Sequence, residues 1–447
     1  MATSTPSASL EDLSHCSVIS HLGKLAESVE CHFSCGGVIS QVSSVVVDYK
    51  KLSGEWSTKP LQLTAGLADE SIQEFLASCS TASFGIGSKT VVDKTYRDAL
   101  ALKPESFHTS FELANTSILS QVARIMSVGS SIRAEIYKLN VYLTGGHFKS
   151  HVDTPRSEDM FGSLVVCLPS YFKGGELLTR HQGRQVTFDW SAAPATYWAA
   201  FYSDVEHEVL PVTSGYRFTL TYNLYLTLAI EHTLLDVTTN PFYQALQAAL
   251  RNPRFMRGGG ILGFYCQYKY VGINTDLDKF SPHLKGEDAI VFEVAKSLGL
   301  SVALRPILSG QHWEDKPKPI EHLVCEDDNN ESEEDGNYVL LTFESHRHRD
   351  NLGFGHEDGW GWREHEFITT TYDGIEKIDG ISWCQNPALF EPIMSALAYG
   401  NDASLKAYYQ SAAFLVTVPK FSAQRGYTLT TPDSDIDCPP AKQVKIT

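Results

Sequence analysis

Between residues 131 and 228 the chain breaks into seven short β-rich runs, and this stretch constrains the fold more than any other. The runs are IRAEIYKLNVYL, FGSLVVCLP, GGELLTRH, GRQVTFDW, ATYWAAFY, EHEVLPV and YRFTLTYNLYL, parted by Gly, Pro and Ser/Asp turn signals. Many short strands at such spacing fold as a sandwich, barrel or jelly roll, because each strand must bury one face against others of its kind. The flanks differ. Apolar residues recur at helical spacing from Leu10 to about Glu30, over 67–79 and over 115–127, where Asn115 stands as a cap. SSVVVDYK (43–50) and PLQLT (60–64) read as strands. The helices before residue 131 are expected to buttress one sheet.

After the β-rich stretch the pattern is mixed. NPFYQALQAALR (240–251) reads as a helix capped by Asn240, with Pro241 at its first position. Residues 258–272 read as a Gly turn and a strand, 287–300 as a helix, and 404–419 as a helix followed by a strand. CEDDNNESEEDG (325–336) holds seven acidic residues in twelve, which predicts a solvated loop. The expected organisation is a disordered start (1–9), a helix and strand buttress (10–130), the β-rich domain (131–228), a C-terminal α/β region (229–421) and a disordered tail (422–447).

Composition narrows the function. Lys+Arg is 36 against Asp+Glu 53, a net charge of −17, which disfavours general nucleic-acid binding. No uncharged apolar run reaches the roughly 18 residues of a membrane span, so no membrane role is expected. The first fifteen residues lack the basic and apolar regions of a secretory signal. The nine cysteines are odd in number and scattered, and Cys31 and Cys35 have no second pair at zinc-site spacing. This reads as free thiols in a reducing compartment, and the protein as intracellular, cytoplasmic or nuclear.

One constellation carries chemistry. AEIYKLNVYLTGGHFKSHVDTPR holds His151 and Asp153, two residues apart and so on one side of an extended segment. His207 lies 56 residues later on another β-run, and Arg217 follows it by ten, across a GY turn. Two imidazoles and one carboxylate, with positions left open, suit iron(II) that must also hold a cosubstrate and dioxygen. A guanidinium beyond the distal His can grip the remote carboxylate of a dicarboxylate with two parallel hydrogen bonds. By strand parity Lys138, Asn140 and Tyr142 share one face, and Arg217, Thr219 and Thr221 share another. His147 fits a turn better than a ligand position. His346, His348, His356 and His365 lie in charged sequence without a β-pattern and read as a solvated loop that holds no metal.

The set Tyr142, His151, Asp153, Gly174-Gly175-Glu176, His207 and Arg217 resembles the iron(II)/2-oxoglutarate-dependent dioxygenase superfamily, in particular the prolyl 4-hydroxylase α-subunit type of catalytic domain. The similarity covers about 135–226. Collagen-type members carry Lys where Arg217 stands, and Arg217 resembles the oxygen-sensing and bacterial branches. The resemblance implies a double-stranded β-helix, or jelly roll, at 131–228, and with the flanking helices and α/β C-terminal region read above the expected fold class is α+β. It implies Fe(II) on His151, Asp153 and His207, and 2-oxoglutarate on the same metal with its far carboxylate on Arg217, assisted by Tyr142 and Thr221. Dioxygen is the other cosubstrate, and ascorbate an auxiliary one. The implied activity is hydroxylation of a C–H bond in a protein side chain, prolyl included, or in a small metabolite, releasing succinate and carbon dioxide. Two other readings stand beside it: a non-catalytic jelly-roll binding protein, and a cupin-like metalloenzyme that does not use 2-oxoglutarate and has no need of Arg217.

Overall fold

In a computed structural model, strand Arg217–Thr227 is buried along nearly its whole length on both faces, as befits the middle of a covered sheet. It pairs antiparallel with Ser131–Tyr142 on one side and Met160–Cys167 on the other. The full order of this seven-stranded sheet is Ser34–Ile39, Thr196–Tyr202, Met160–Cys167, Arg217–Thr227, Ser131–Tyr142, Leu100–Leu102 and Ser80–Thr81. A five-stranded sheet runs Arg184–Phe188, Leu177–His181, Glu206–Val209, His147–His151 and Arg97–Asp98. Strands distant in sequence are therefore neighbours, and between residues 131 and 227 consecutive ones fall in different sheets except for the hairpin of Leu177–His181 and Arg184–Phe188. The structure describes residues 15–308 apart from 29–30, 40–43, 63–69, 87–88, 127–130, 158, 193–194, 228–236 and 272–276, and then 339–340, 381–385, 399–400, 412–422 and 425. Among these residues the chain is mostly β-sheet with few helices.

All seven β-rich runs form strands. One irregularity has a purpose. Between Ile136 and Lys138 the register against Arg217–Thr227 shifts, so Tyr137 is an extra residue that the partner strand does not match. Beyond this bulge Lys138 faces Thr221, Asn140 faces Thr219 and Tyr142 faces Arg217. The two parity sets named from the sequence thus come together on one face. Gly215 makes the return from the His207 strand to Arg217. It has φ +81°, and a Cβ there would lie 2.1 Å from the Tyr171 carbonyl oxygen.

The helices before residue 131 are His15–Glu27, Glu70–Ser78 and Ile118–Met126. The cap expected at Asn115 is corrected. Asn115 ends a short 3-10 turn, and the Thr116 hydroxyl accepts the Ile118 N–H at 3.3 Å instead. Asn240 does cap helix Pro241–Arg251, accepting from the Phe242 N–H. Further on, strands Gly260–Tyr265, Ser301–Leu308 and Ala412–Val418 share a sheet, with helix Gly286–Ser297 beside it. Leu164, Leu220, Phe264, Leu246 and Phe414 belong to one continuous apolar core, so this region is packed onto the β-rich stretch. Cys31, Cys35, Cys79, Cys167, Cys266 and Cys384 are free thiols, as their scatter predicts, whereas Cys16 is disulfide-bonded. No helix among the described residues is long and apolar enough to cross a membrane. The acidic run 325–336, His346, His348, His356, His365, residues 1–9 and most of the tail lie outside the described residues.

Candidate metal centre

His151 ends strand His147–His151, and His207 stands opposite it on Glu206–Val209 as its register partner. Their ring centroids are 4.1 Å apart. Asp153 follows just past the strand end, where its N–H donates to the Ser203 carbonyl at 3.0 Å. One atom from each of the three side chains lies within 4.8 Å of the other two, and all three residues are buried.

The protonation pattern suits metal binding. His151 Nδ1–H donates to the Lys149 carbonyl at 2.8 Å, and His207 Nδ1–H donates to the Val205 carbonyl at 3.0 Å. Both tautomers are fixed, which leaves each Nε2 with its lone pair turned to the centre. Burial, then the neighbouring His207, holds the His151 pKa well below the usual histidine value, so this ring is neutral, the form that binds a cation. The Ser163 hydroxyl donates to Asp153 Oδ2 and orients the carboxylate, while Oδ1 lies 3.6 Å from His207 Nε2. Phe148 stacks on the His151 ring and Phe201 packs against His207, so both imidazoles are walled in. Two imidazoles and a carboxylate whose donor atoms lie close together fit high-spin iron(II) by donor type. His147 is excluded. Both its ring nitrogens face backbone carbonyls, those of Gly145 and Thr95.

Arg217 is the second element. It is 1 % exposed, and its guanidinium carbon lies 5.3 Å from the Tyr142 ring and 5.1 Å from the Trp190 ring. Neither Nε nor one terminal nitrogen has a hydrogen-bond partner among the described residues. Gly175 makes room for this side chain: a Cβ there would meet Arg217 Cδ at 3.0 Å and Val212 Cγ2 at 2.8 Å. Buried donors left without acceptors fit a bound anion. Next along the same face, Asn140 Nδ2 donates to Thr221 Oγ1 at 3.1 Å.

Sequence reasoning missed two side chains. Ser163 is wholly buried, and its signal was a lone hydroxyl in the apolar run FGSLVVC. Arg97, 3 % exposed, donates to Asn140 Oδ1 at 3.0 Å and to the Ser83 carbonyl at 2.7 Å, and lies over the Phe148 ring. Nothing in TYRDAL points to it.

Residues 137–225 match the family model of the 2OG-Fe(II) oxygenase superfamily. The chain carries a 2OG-Fe(II) oxygenase domain. The matched span holds the triad and Arg217, and the activity that goes with this domain is that of a dioxygenase, which uses Fe(II) and 2-oxoglutarate. No curated protein matches the chain. Among solved structures, the chain is similar to an oxidoreductase of the 2OG-Fe(II) oxygenase family from Burkholderia pseudomallei, at 19 % identity over 35 % of this chain and 77 % of that one, with a TM-score of 0.23. A Pseudomonas putida prolyl-4-hydroxylase matches at 16 % identity over 46 % of this chain and all of that one, with a TM-score of 0.28. A Trichoplax adhaerens prolyl hydroxylase, in complex with a hypoxia inducible factor peptide fragment, matches at 19 % identity over 32 % and 70 %, with a TM-score of 0.22.

Proposed function

We propose that this protein is an iron(II)- and 2-oxoglutarate-dependent dioxygenase that hydroxylates a C–H bond of a protein side chain, prolyl among the choices, or of a small metabolite. In this reading residues 131–228 form a double-stranded β-helix, residues 10–130 buttress it and residues 229–421 form an α/β scaffold. His151 Nε2, Asp153 Oδ1 and His207 Nε2 are the metal donors. Arg217 binds the far carboxylate of 2-oxoglutarate, and Tyr142 and Thr221 assist. The bound iron and 2-oxoglutarate supply the oxidant that takes hydrogen from the substrate, with succinate and carbon dioxide as by-products.

The chain's own residues bind and position. The fixed Nδ1–H groups keep both imidazoles aimed, Ser163 holds the carboxylate, and Phe148 and Phe201 exclude water from the rings. The observation that carries the cosubstrate is the buried guanidinium of Arg217 with donors to spare. A cupin-like metalloenzyme has no use for it, and a binding module has no need of an intact triad.

The test is metal and cosubstrate titration of the full chain, with mass spectrometry of candidate peptides and metabolites for an added oxygen. One equivalent of iron(II) binds the wild type and none binds His151→Ala. Succinate release requires 2-oxoglutarate. Iron binding that survives His151→Ala, or oxygen insertion without 2-oxoglutarate, would overturn the reading.

A further inference from the structure

Two of the backbone groups that orient the triad come from one three-residue turn. Ser203 accepts the Asp153 N–H through its carbonyl, and Val205 accepts His207 Nδ1–H through its own, each at 3.0 Å. The turn is tied down by Ser203 N–H to the Phe161 carbonyl and by Val205 N–H to the Tyr202 carbonyl. Between these two residues sits Asp204, whose side chain is 3 % exposed.

Both carboxylate oxygens of Asp204 are bonded from the C-terminal side. Its Oδ1 lies 2.6 Å from Lys285 Nζ, and its Oδ2 accepts the Lys269 N–H at 2.8 Å. Lys285 Nζ also donates to the Lys269 carbonyl at 3.0 Å and is itself buried. Next to it the Gly286 N–H donates to the Tyr202 hydroxyl at 3.2 Å, and that hydroxyl donates to the Met126 carbonyl at 2.6 Å. Residues 269, 285 and 286 all lie outside the span 137–225 that matches the oxygenase family.

A buried ion pair that loses one member leaves a charge with no compensation, and the survivor moves or takes a proton. Asp204 cannot move without its turn. The carbonyls on either side of it would shift together, one from the Asp153 N–H and one from the His207 ring. Losing a group that orients a metal ligand in this way typically lowers metal affinity by about ten- to a hundredfold.

We propose that Lys285 is a positioning residue of the metal centre, acting through Asp204 and the Ser203–Val205 turn. The C-terminal region is then part of the support of the iron site as well as a scaffold. This rests on the reading of His151, Asp153 and His207 as an iron site. Glu287, two residues on, is the contrast. It pairs with Arg184 at 2.7 Å and accepts from the Tyr268 hydroxyl at 2.9 Å, and so braces the 177–188 hairpin rather than the turn.

The experiment titrates Co(II), a spectroscopic stand-in for iron(II), into the full chain and follows both affinity and the visible ligand-field bands. Wild type and His151→Ala come first. If they bind alike, the site reading fails and Lys285 is not at issue. With the site established, Lys285→Met binds Co(II) about tenfold more weakly, with shifted bands. Lys285→Arg, which keeps the cation, stays close to wild type. Glu287→Gln lowers the melting temperature without changing Co(II) affinity. Should Lys285→Met not fold, the double variant Asp204→Asn/Lys285→Met is read in its place, with the same expectation. Wild-type affinity and bands in the Lys285 variant, an equal loss in Glu287→Gln, or failure of both Lys285→Met variants to fold would overturn the inference.

Discussion

Arg217, in the oxygenase sheet, and Arg425, beyond the C-terminal sheet, are both buried, at 1 % and 4 % exposed, yet their guanidinium groups are used in opposite ways. Arg425 donates to five backbone carbonyls, those of Leu250, Asn252, Phe255, Met256 and Pro419. Leu250 and Asn252 lie at the end of helix Pro241–Arg251, where carbonyls lack intrahelical partners and the helix dipole favours a cation. Arg217 rests against two aromatic rings, with Nε and one terminal nitrogen unmatched among the described residues. A buried cation whose donors are all taken serves the fold. One whose donors remain open is placed for a ligand, because burial without a partner costs stability that only an incoming anion returns. The two regions of the molecule divide along this line.

The largest effect that tests this contrast is on stability. Arg425→Met removes five donors at once and leaves buried carbonyls without partners, so unfolding in urea should show a loss of about 3–5 kcal/mol. Arg217→Met, measured the same way without cosubstrate, should leave stability unchanged or slightly raised, since it deletes Nε and a terminal nitrogen that no described residue accepts from. Equal destabilisation by the two changes would erase the distinction.

Next in size is cosubstrate binding. Hydrogen bonds to a charged group contribute about 1.5–3 kcal/mol each, so Arg217→Ala should weaken 2-oxoglutarate binding by about two orders of magnitude. Arg217→Lys keeps the charge, loses the fork and should fall between. Iron binding should survive both. Calorimetric titration of 2-oxoglutarate into the iron-loaded protein reads all three points, and unchanged affinity in Arg217→Ala would favour the cupin-like alternative.

How much of this was legible in the sequence depends on whether a feature is written in side chains or in backbone. The triad was legible because His151 and Asp153 share a strand face by parity and His207 sits in its own β-run. Arg217 was legible from its spacing. The bulge at Tyr137 was not, although it sets Lys138, Asn140 and Tyr142 opposite Thr221, Thr219 and Arg217. Ser34–Ile39, with the sequence SCGGVI, has little strand propensity and becomes one because Thr196–Tyr202 offers it a full register of partners. Arg97–Asp98 is a two-residue strand created by its pairing with His147 and Phe148. The Ser203–Val205 turn works through carbonyl oxygens, which every residue carries, so no residue type could have announced it. Asn115 reads as a cap, but the next residue, Thr116, has equal chemistry, and only the entry path of the chain separates them.

The smallest effect concerns the polar chain beside Arg217. Arg97 donates to Asn140 Oδ1, which fixes the amide so that Asn140 Nδ2 points to Thr221 and donates to its hydroxyl oxygen. With its oxygen accepting from Asn140, the Thr221 hydroxyl has its proton to give elsewhere. Its face is that of Arg217, two pairs along the same strand, so the cosubstrate carboxylate is the acceptor it would serve. Thr221→Val keeps the shape and removes this single donor. One hydrogen bond to a charged group, at the low end of its range, corresponds to about a tenfold loss of 2-oxoglutarate affinity. Asn140→Asp should act in the same direction for a different reason: a carboxylate cannot donate to Thr221, so the hydroxyl turns its proton inward. Both variants should retain iron affinity, and combining Thr221→Val with Asn140→Asp should cost no more than either alone, because they break the same link. Additive losses on titration would mean that Asn140 and Thr221 act separately, and that the order imposed by Arg97 stops at Asn140.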